Sequence, residues 1–410
     1  MPRLAASYDL HVLWIPSGDD VQDDARREVF SAHCTHSTLP TYDNAHAGIV
    51  SFARDWRPDG IVGFSELVVT AVHTAALELG LPSNSEQSLT ALQDKHAQRQ
   101  AMAKAGVPVP RFARVSSASD LHQAVAEVRT PSILKPAAGV GSMATYRVTE
   151  GTDLSALWDA ASADYLGDPR GSGSPDFVLE ELLIGEAWHD DDRYGPYASV
   201  ESVVADGIVH NLSVTDKFTL TEPFRENGGI MPSMLPDDVS ALVLGTASQA
   251  IRAMGITNSA VHTEIMFTAD GPRVIEVNSR IGGGVTEMLH HCYGYDVVDA
   301  MAAVATGAPV PELGPLRRYS AFHCPQAPAA DVVLASVPSL EDLRAWESVE
   351  DVQMTYRVGD RPQWERGTKG GTLVRIVASA STAEELLDLA EYLASDKAFT
   401  FAPGNTNAEA

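Results

Sequence analysis

Cysteine is scarce in this chain. Cys34, Cys292 and Cys324 are the three thiols in 410 residues, an odd number at wide spacing with no C-x-x-C pair. That leaves no thiolate motif for zinc or redox work and suits a reduced, cytoplasmic setting. Basic residues are few as well: 29 Lys and Arg stand against 55 Asp and Glu, a formal charge of −26, and no basic run occurs. A nucleic-acid partner, which needs clustered cations over phosphates, is excluded. No apolar stretch reaches the roughly 18 residues of a membrane span, and the N-terminus lacks the charged start and apolar middle of a signal peptide, so no membrane association is expected. Two nucleotide fingerprints are also missing. Neither G-x-x-x-x-G-K-[ST] nor a G-x-G-x-x-G between a strand and a helix occurs, which removes the P-loop and Rossmann cofactor schemes.

What is present is globular: 44% hydrophobic, 20% charged and 7% aromatic residues, in a length that suits two or three domains. Residues 8–16 and 61–64 read as strands followed by helical spacing, an α/β layer. A helix over 67–79 ends at Gly80 with Pro82 beyond it, and Ser83-Asn84-Ser85 forms a boundary. A second helix over 89–104 stops at Gly106, Pro108 and Pro110. Short strands and helices then build a small β-α-β-β-α-β unit that closes with 177–179, its residues 167–175 forming a flexible connection. From about residue 186 the chain is strand-rich, with strands over 198–204, 208–216, 261–268 and 273–278. A last strand at 373–378 is covered by a helix over 382–393, and a polar, frayed tail follows from Pro403.

The sharpest feature is the run Val261 to Arg280, with Asp270-Gly271 between two alternating segments, a hairpin signal. A turn centred on Asp270 places Glu264 opposite Glu276 and His262 opposite Asn278. Glu276, Asn278 and Arg280 then share one face, with Ile275 and Val277 on the other. Two carboxylates about 5 Å apart repel unless a cation or proton lies between them, and all-oxygen ligands of this kind suit magnesium held together with substrate phosphates. The competing reading is a solvent-facing hairpin edge. Arg280 runs into Gly282, Gly283 and Gly284, which form either backbone amides open to an anion or carboxylate or a plain flexible loop. Upstream, Lys135 ends an apolar strand just before the loop Gly139 to Ala144, a phosphate clamp or an ordinary strand-end lysine. Phe177 to Glu186 offers an apolar slot with Glu180, Leu182 and Glu186, suited to adenine and ribose, or a helix start with solvated glutamates.

Taken in order, Asp94-Lys95 with Ala105 to Pro110, Leu134-Lys135-Pro136, Val178-Leu179-Glu180-Glu181, Gly185-Glu186, Glu264, Glu276-Val277-Asn278 and Arg280 resemble the ATP-grasp superfamily. The resemblance covers roughly Leu89 to Tyr295. Ser199 to Asp206, Thr215-Asp216-Lys217-Phe218, Phe224 to Ser233 and Asn278 to Gly283 make it most similar to the L-amino acid ligases. It implies a mixed α/β and α+β, ATP-grasp fold: an N-terminal Rossmann-like α/β domain (1–88), a small lid domain (89–184), a large antiparallel-sheet catalytic domain (185–402) and a flexible tail (403–410). It also implies ATP and Mg²⁺, two ions, with Mn²⁺ as a substitute. Lys95, Lys135, Gly141 and Ser142 would meet the phosphates, Glu180, Glu181 and Leu182 the adenine, and Glu186 the ribose. Glu264, Glu276 and Asn278 would bind the metal. Arg280 would stabilise the transferred phosphoryl group, with Lys217 and Glu201 beside it, and Glu66, Glu226, His262 and Gly282 to Gly284 near the substrates. The implied chemistry joins a carboxylate to an amine or amino acid through an acyl phosphate, the partners being these small molecules and a second copy in a homodimer. The alternatives are a carboxylase-type enzyme, for which no A-M-K-M carrier motif is present, and a non-catalytic nucleotide-binding regulator, which would have lost the metal or phosphate residues.

Other polar features have plainer expectations. His189-Asp190-Asp191-Asp192 reads as a solvated loop, His290-His291-Cys292 as part of a helix, and Met254, Met266 and Met288 as packing residues.

Overall fold

The computed structural model describes residues 2–139, 141–168, 171 and 173–404. Parts of two expected flexible segments, residues 169, 170 and 172 of the connection and 405–410 of the tail, lie outside the described residues. The N-terminal layer carries two strands, β1 (His11–Trp14) and β2 (Thr35–Thr38), paired in parallel through the helix Asp20–His33. Asp19 caps that helix by accepting from the amides of Val21 and Gln22. Residues 61–64 are not the strand that the sequence suggests. The place beside β1 is taken by β2, and the apolar run is instead pressed between helices: a Cβ at Gly60 would lie 2.4 Å from the Ala305 carbonyl, and one at Gly63 2.9 Å from Val72. The helix Val69–Glu78 follows, with Gly80 at φ +71°.

The expected 89–104 helix is broken. Residues 86–92 form two short turns, and the α-helix starts only at Lys95 because Asp94 caps it, accepting from the Ala97 amide. Leu92 and Met102 pack with Ile251, Met254, Val261 and Val277, so this helix is buried against the large sheet. The small unit forms as read. Its strands β3 (Phe112–Val115), β4 (Ser132–Pro136), β5 (Tyr146–Val148) and β6 (Phe177–Glu181) lie in the order β3-β6-β4-β5, all antiparallel. Helices Ala118–Val128 and Leu154–Gly167 cover one face, burying Leu121, Leu134, Phe177 and Leu179.

The remaining strands are β7 (Tyr194–Ala205), β8 (Ile208–Phe218), β9 (Gly228–Met231), β10 (Ser259–Thr268), β11 (Gly271–Asn278), β12 (Tyr319–His323), β13 (Val332–Ser336), β14 (Val349–Met354), β15 (Val374–Ala380) and β16 (Thr400–Pro403). Eight of them make an antiparallel sheet in the order β11-β10-β7-β8-β9-β12-β15-β14, while β13 pairs with β16. Asp206 and Gly207, at φ +49° and +77°, turn β7 into β8, a geometry that Asp-Gly adopts readily. The helix Ala383–Ala394 caps the far end of the sheet with Leu386, Leu387, Leu389 and Leu393. No described helix is long and apolar enough to cross a membrane.

Candidate active site

The β10–β11 hairpin brings Glu264 opposite Glu276 and His262 opposite Asn278, the pairs read from the sequence, but by another route. Thr268 pairs with Gly271, so the turn is tighter than one centred on Asp270, and a bulge between Glu264 and Ile265 restores the register. The bulge costs the strict alternation. Ile275, expected to face away, lines the same cleft as Glu276.

That cleft, about 960 Å³, lies between the small sheet and the β7–β10–β11 edge of the large one. Lys95, Lys135, Gly141, Ser142, Glu180, Glu181, Leu182, Glu226, Glu264 and Glu276 all line it, so residues spread over some 180 positions converge on one space. One end is apolar, formed by Ile133, Leu182, Leu183, Met266 and Ile275, a slot for a flat ring. Met266 therefore faces the cleft, whereas Met254 and Met288 are core residues as expected. Glu186, expected at the ribose, is exposed and does not line the cleft, and its amide donates to the Phe267 carbonyl at 2.8 Å.

Glu180 is also not free to read a base. Its carboxylate is 3% exposed and takes a forked pair of bonds from Arg99 Nε and Nη2 at 2.8 and 2.9 Å, with Lys135 Nζ at 2.9 Å. Burial raises its pKa, but Arg99 and Lys135 outweigh that and hold it down at about 2. Arg99, 2% exposed, also donates to the carbonyls of Val274 and Ile275, so it ties β6 of the small sheet to β11 of the large one. The sequence reading missed it. Its one visible signal was its place in the helix that Asp94 starts, four residues after Lys95.

At Lys95, Glu226, Glu264 and Glu276 the cleft is charged, and a chain of opposite charges continues behind them through His262, Glu201, Lys217, Arg280 and Glu66, which do not line it. Lys95 Nζ lies 2.8 Å from Glu276 Oε1 and donates to the Gly139 carbonyl at 2.8 Å, linking the glycine loop to the hairpin. His262 Nδ1 lies 2.9 Å from both Glu201 oxygens, and its Nε2 is 3.5 Å from Glu264 Oε1. Burial opposes a charge on His262, but Glu201 and Glu264 outweigh it and raise the pKa to about 9. Burial likewise disfavours ionised Glu264, yet His262, Lys217 and Arg280 bring it down to about 2. Lys217, fully enclosed, lies 3.8 Å from Glu226, and Glu226, Glu264 and Glu201 raise its pKa against the effect of burial. Arg280 Nε donates to Glu66 at 2.9 Å, which brings the N-terminal layer to the site. Burial is the main cause of a raised Glu66 pKa, opposed by Arg280. Among the described residues no three His, Cys, Asp or Glu side chains are grouped as a ready metal cluster. Glu264 and Glu276 are balanced here by His262 and Lys95.

The glycine loop is held from the far side of the cleft. Ser142, at φ +53°, donates to the Phe224 carbonyl at 3.0 Å, and Arg225 Nη1 donates to the Ser142 carbonyl at 3.0 Å. The three consecutive glycines have separate reasons. A Cβ at Gly282 would lie 2.4 Å from His262 Nδ1, Gly284 starts a helix at φ +72° against the Phe322 ring, and only Gly283 has open space. None of the three lines the cleft. Tyr197, which lines the cleft and is buried with no hydrogen-bond partner for its hydroxyl among the described residues, went unnoticed in the sequence. His189 is not solvated either: its Nε2 lies 3.0 Å from buried Asp216, while Asp191 pairs with Arg193.

Residues 128–288 match the ATP-grasp domain family. The alanine–anticapsin ligase of Bacillus subtilis (strain 168) is 29% identical over 264 residues, which are 62% of this chain and 56% of that protein. The chain thus spans little more than half the length of that relative. An L-arginine-specific L-amino acid ligase of Bacillus subtilis is 22% identical over 307 residues, 74% of this chain and 70% of its own. The crystal structure of an L-amino acid ligase from Bacillus licheniformis superposes with a TM-score of 0.74 at 20% identity, covering 96% of this chain and 99% of that one.

Proposed function

We propose that this ATP-grasp protein is an ATP-dependent ligase that joins the carboxylate of an amino acid to the amine of a second small molecule, releasing ADP and phosphate. The observation that carries the reading is the arrangement of the cleft. An apolar slot at Leu182, Leu183 and Met266, two buried lysines and the paired carboxylates Glu264 and Glu276 line one space, with Arg280 close enough to Glu264 to act on its charge. Nucleotide base, phosphates and metal would lie in that order.

The donor set fits Mg²⁺. Glu264 and Glu276 face each other, Asn278 is buried beside them, and all three offer oxygen. They would hold two ions, whose positive charge would offset that of the phosphates. Lys95 would leave Glu276 for a phosphate oxygen, a short exchange because its Nζ already bridges the carboxylate and the glycine loop. Lys135 would take the preceding phosphate while Arg99 keeps Glu180 compensated.

In the first step a substrate carboxylate oxygen attacks the γ-phosphorus and the bond to ADP breaks, giving an acyl phosphate. Arg280, already oriented by Glu66, stabilises the charge on the moving phosphoryl oxygens. In the second step the amine attacks the acyl carbon and phosphate leaves. Lys217 and protonated His262 supply positive charge for the anionic oxygen that develops. The amine proton passes to a carboxylate or to the departing phosphate.

The test is phosphate release from ATP and Mg²⁺ with pooled and then paired L-amino acids, followed by mass spectrometry. Amino-acid-dependent release with a product lighter than the pair by one water supports the ligase. Release of ADP without any condensed product, in every pool, refutes it. Glu276→Gln should cut turnover by at least about 100-fold while the protein stays folded; full activity in that variant would remove the metal assignment.

A further inference from the structure

Residues 141–144 of the glycine loop hold an unfavourable backbone shape. Gly141 has φ +68°, and Ser142 and Ala144, which carry a Cβ, stand at +53° and +43°, while Met143 between them lies outside the left-handed region. Left-handed φ at such residues persists only where the surroundings over-determine it. Alternation of this kind along successive residues is also the backbone pattern of an anion-binding nest, in which neighbouring amides turn to one side.

Three hydrogen bonds fix the loop from the side of the large sheet. Ser142 Oγ donates to the Phe224 carbonyl at 3.0 Å, Arg225 Nη1 donates to the Ser142 carbonyl at 3.0 Å, and the Thr368 amide donates to the Gly141 carbonyl at 3.2 Å. The last of these comes from the turn 364–371 in the link between β14 and β15. That turn is itself anchored. The Tyr356 hydroxyl donates to the Gly370 carbonyl at 2.6 Å, the Ala327 amide to the Gly371 carbonyl at 2.8 Å and the Leu373 amide to the Pro325 carbonyl at 2.9 Å, so the turn rides on the C-terminal part of the large sheet.

Turn and loop meet closely. Gly367 has φ +76°, and a Cβ there would lie 2.1 Å from the Gly141 carbonyl oxygen. Arg225, 5% exposed, ties the two pieces a second time, since its Nη2 donates to the Trp364 carbonyl at 3.3 Å while Nη1 holds Ser142. Neither Arg225 nor any described residue of 364–371 lines the cleft, whereas Gly141, Ser142 and Met143 do, so the loop lies between the turn and the nucleotide space. In a trans peptide the carbonyl of one residue and the amide of the next point in opposite directions. Drawing the Gly141 and Ser142 carbonyls back to Thr368 and Arg225 therefore turns the Ser142 and Met143 amides the other way.

We propose that the turn 364–371 and Arg225 are positioning elements of the nucleotide site: they hold these two carbonyls so that the Ser142 and Met143 amides face the cleft as a donor pair for a nucleotide phosphate. Gly367 is the contact that a side chain would break. The inference rests on the reading of the cleft as a nucleotide site, and it brings into that site a part of the chain that touches no ligand.

The experiment compares ADP, with Mg²⁺, and adenosine as calorimetric probes on the full chain. Thr368→Pro deletes the amide donor at the first position of a short helix, where proline is tolerated. Gly367→Ala drives a methyl into the Gly141 carbonyl, and Arg225→Met removes the second tie. Each variant that keeps the wild-type circular dichroism spectrum should bind ADP about tenfold more weakly, the loss of one well-aligned hydrogen bond to a charged group. Adenosine, which has no phosphate for the loop to hold, should bind with wild-type affinity. ADP affinity within about twofold of wild type in both Thr368→Pro and Gly367→Ala overturns the proposal. So does equal weakening of ADP and adenosine, because turn and arginine would then support the cleft as a whole rather than its phosphate donors. A wild-type chain that binds no ADP overturns the nucleotide reading and this inference with it, a failure distinct from the other two.

Discussion

Replacing Arg99 with methionine tests how the two sheets are held together. The guanidinium makes four hydrogen bonds, two to Glu180 and one each to the Val274 and Ile275 carbonyls, at 2.6 to 3.1 Å and essentially out of water. Methionine fills similar space but leaves Glu180, 3% exposed, with Lys135 as its remaining cation. Removing one partner of a buried pair costs about 3–5 kcal/mol, because an uncompensated charge stays behind. At about 2–4 °C per kcal/mol for domains of 150–250 residues, the melting temperature should fall by roughly 6–20 °C. Differential scanning calorimetry at pH 7 measures this. Adding Glu180→Gln to Arg99→Met should recover part of the loss, since the stranded charge is then gone and Lys135 keeps an acceptor. The pH dependence has a defined sign. Glu180 has a folded pKa of about 2, below the ordinary carboxylate value, so its pairing stabilises the wild type above about pH 4.5 and is lost as pH falls toward 2. The gap between wild type and Arg99→Met should narrow over that range. A melting change under 2 °C, or a double variant worse than the sum of the singles, would refute the account of Arg99 as a buried tie.

Further outcomes follow from the charged end of the cleft. His262 is raised to about 9 from an ordinary 6.5, so its contribution is complete below about pH 6.5 and disappears as pH rises through 9. Urea midpoints measured from pH 6 to 10 should decline across that window, and Glu201→Gln should move the decline to lower pH. Gly282→Ala places a methyl 2.4 Å from His262 Nδ1 and should cost about 1–3 kcal/mol with reduced turnover, whereas Gly283→Ala meets nothing and should be near neutral in stability; equal losses in the two variants would contradict the packing. Ser142→Ala removes the bond to the Phe224 carbonyl and should raise KM for ATP more than it lowers kcat, read from initial rates.

The sequence by itself determined the local devices. Asp206-Gly207 sets a turn, Asp94 starts a helix, and alternation puts Glu264 and Glu276 on one face, because short-range backbone preferences and strand alternation act on neighbours in the chain; that Lys95 and Lys135 belong with them came from the resemblance to a known family, and all four line one cleft. The Glu264–Glu276 pair was read correctly although the turn was placed one step off, since period-2 reasoning has no knowledge of the compensating bulge. That bulge is also why Ile275 entered the cleft unannounced. Tertiary structure alone decided the rest. Whether residues 61–64 pair as a strand depends on which segment lies beside β1. Whether Glu180 meets a base or an arginine depends on a helix 81 positions earlier packing under β6. That the Glu186 amide meets the Phe267 carbonyl, while its side chain lies exposed, depends on β10 lying beside it. In each case the partner lies far away in sequence, and burial with charge compensation, rather than residue type, fixes the role.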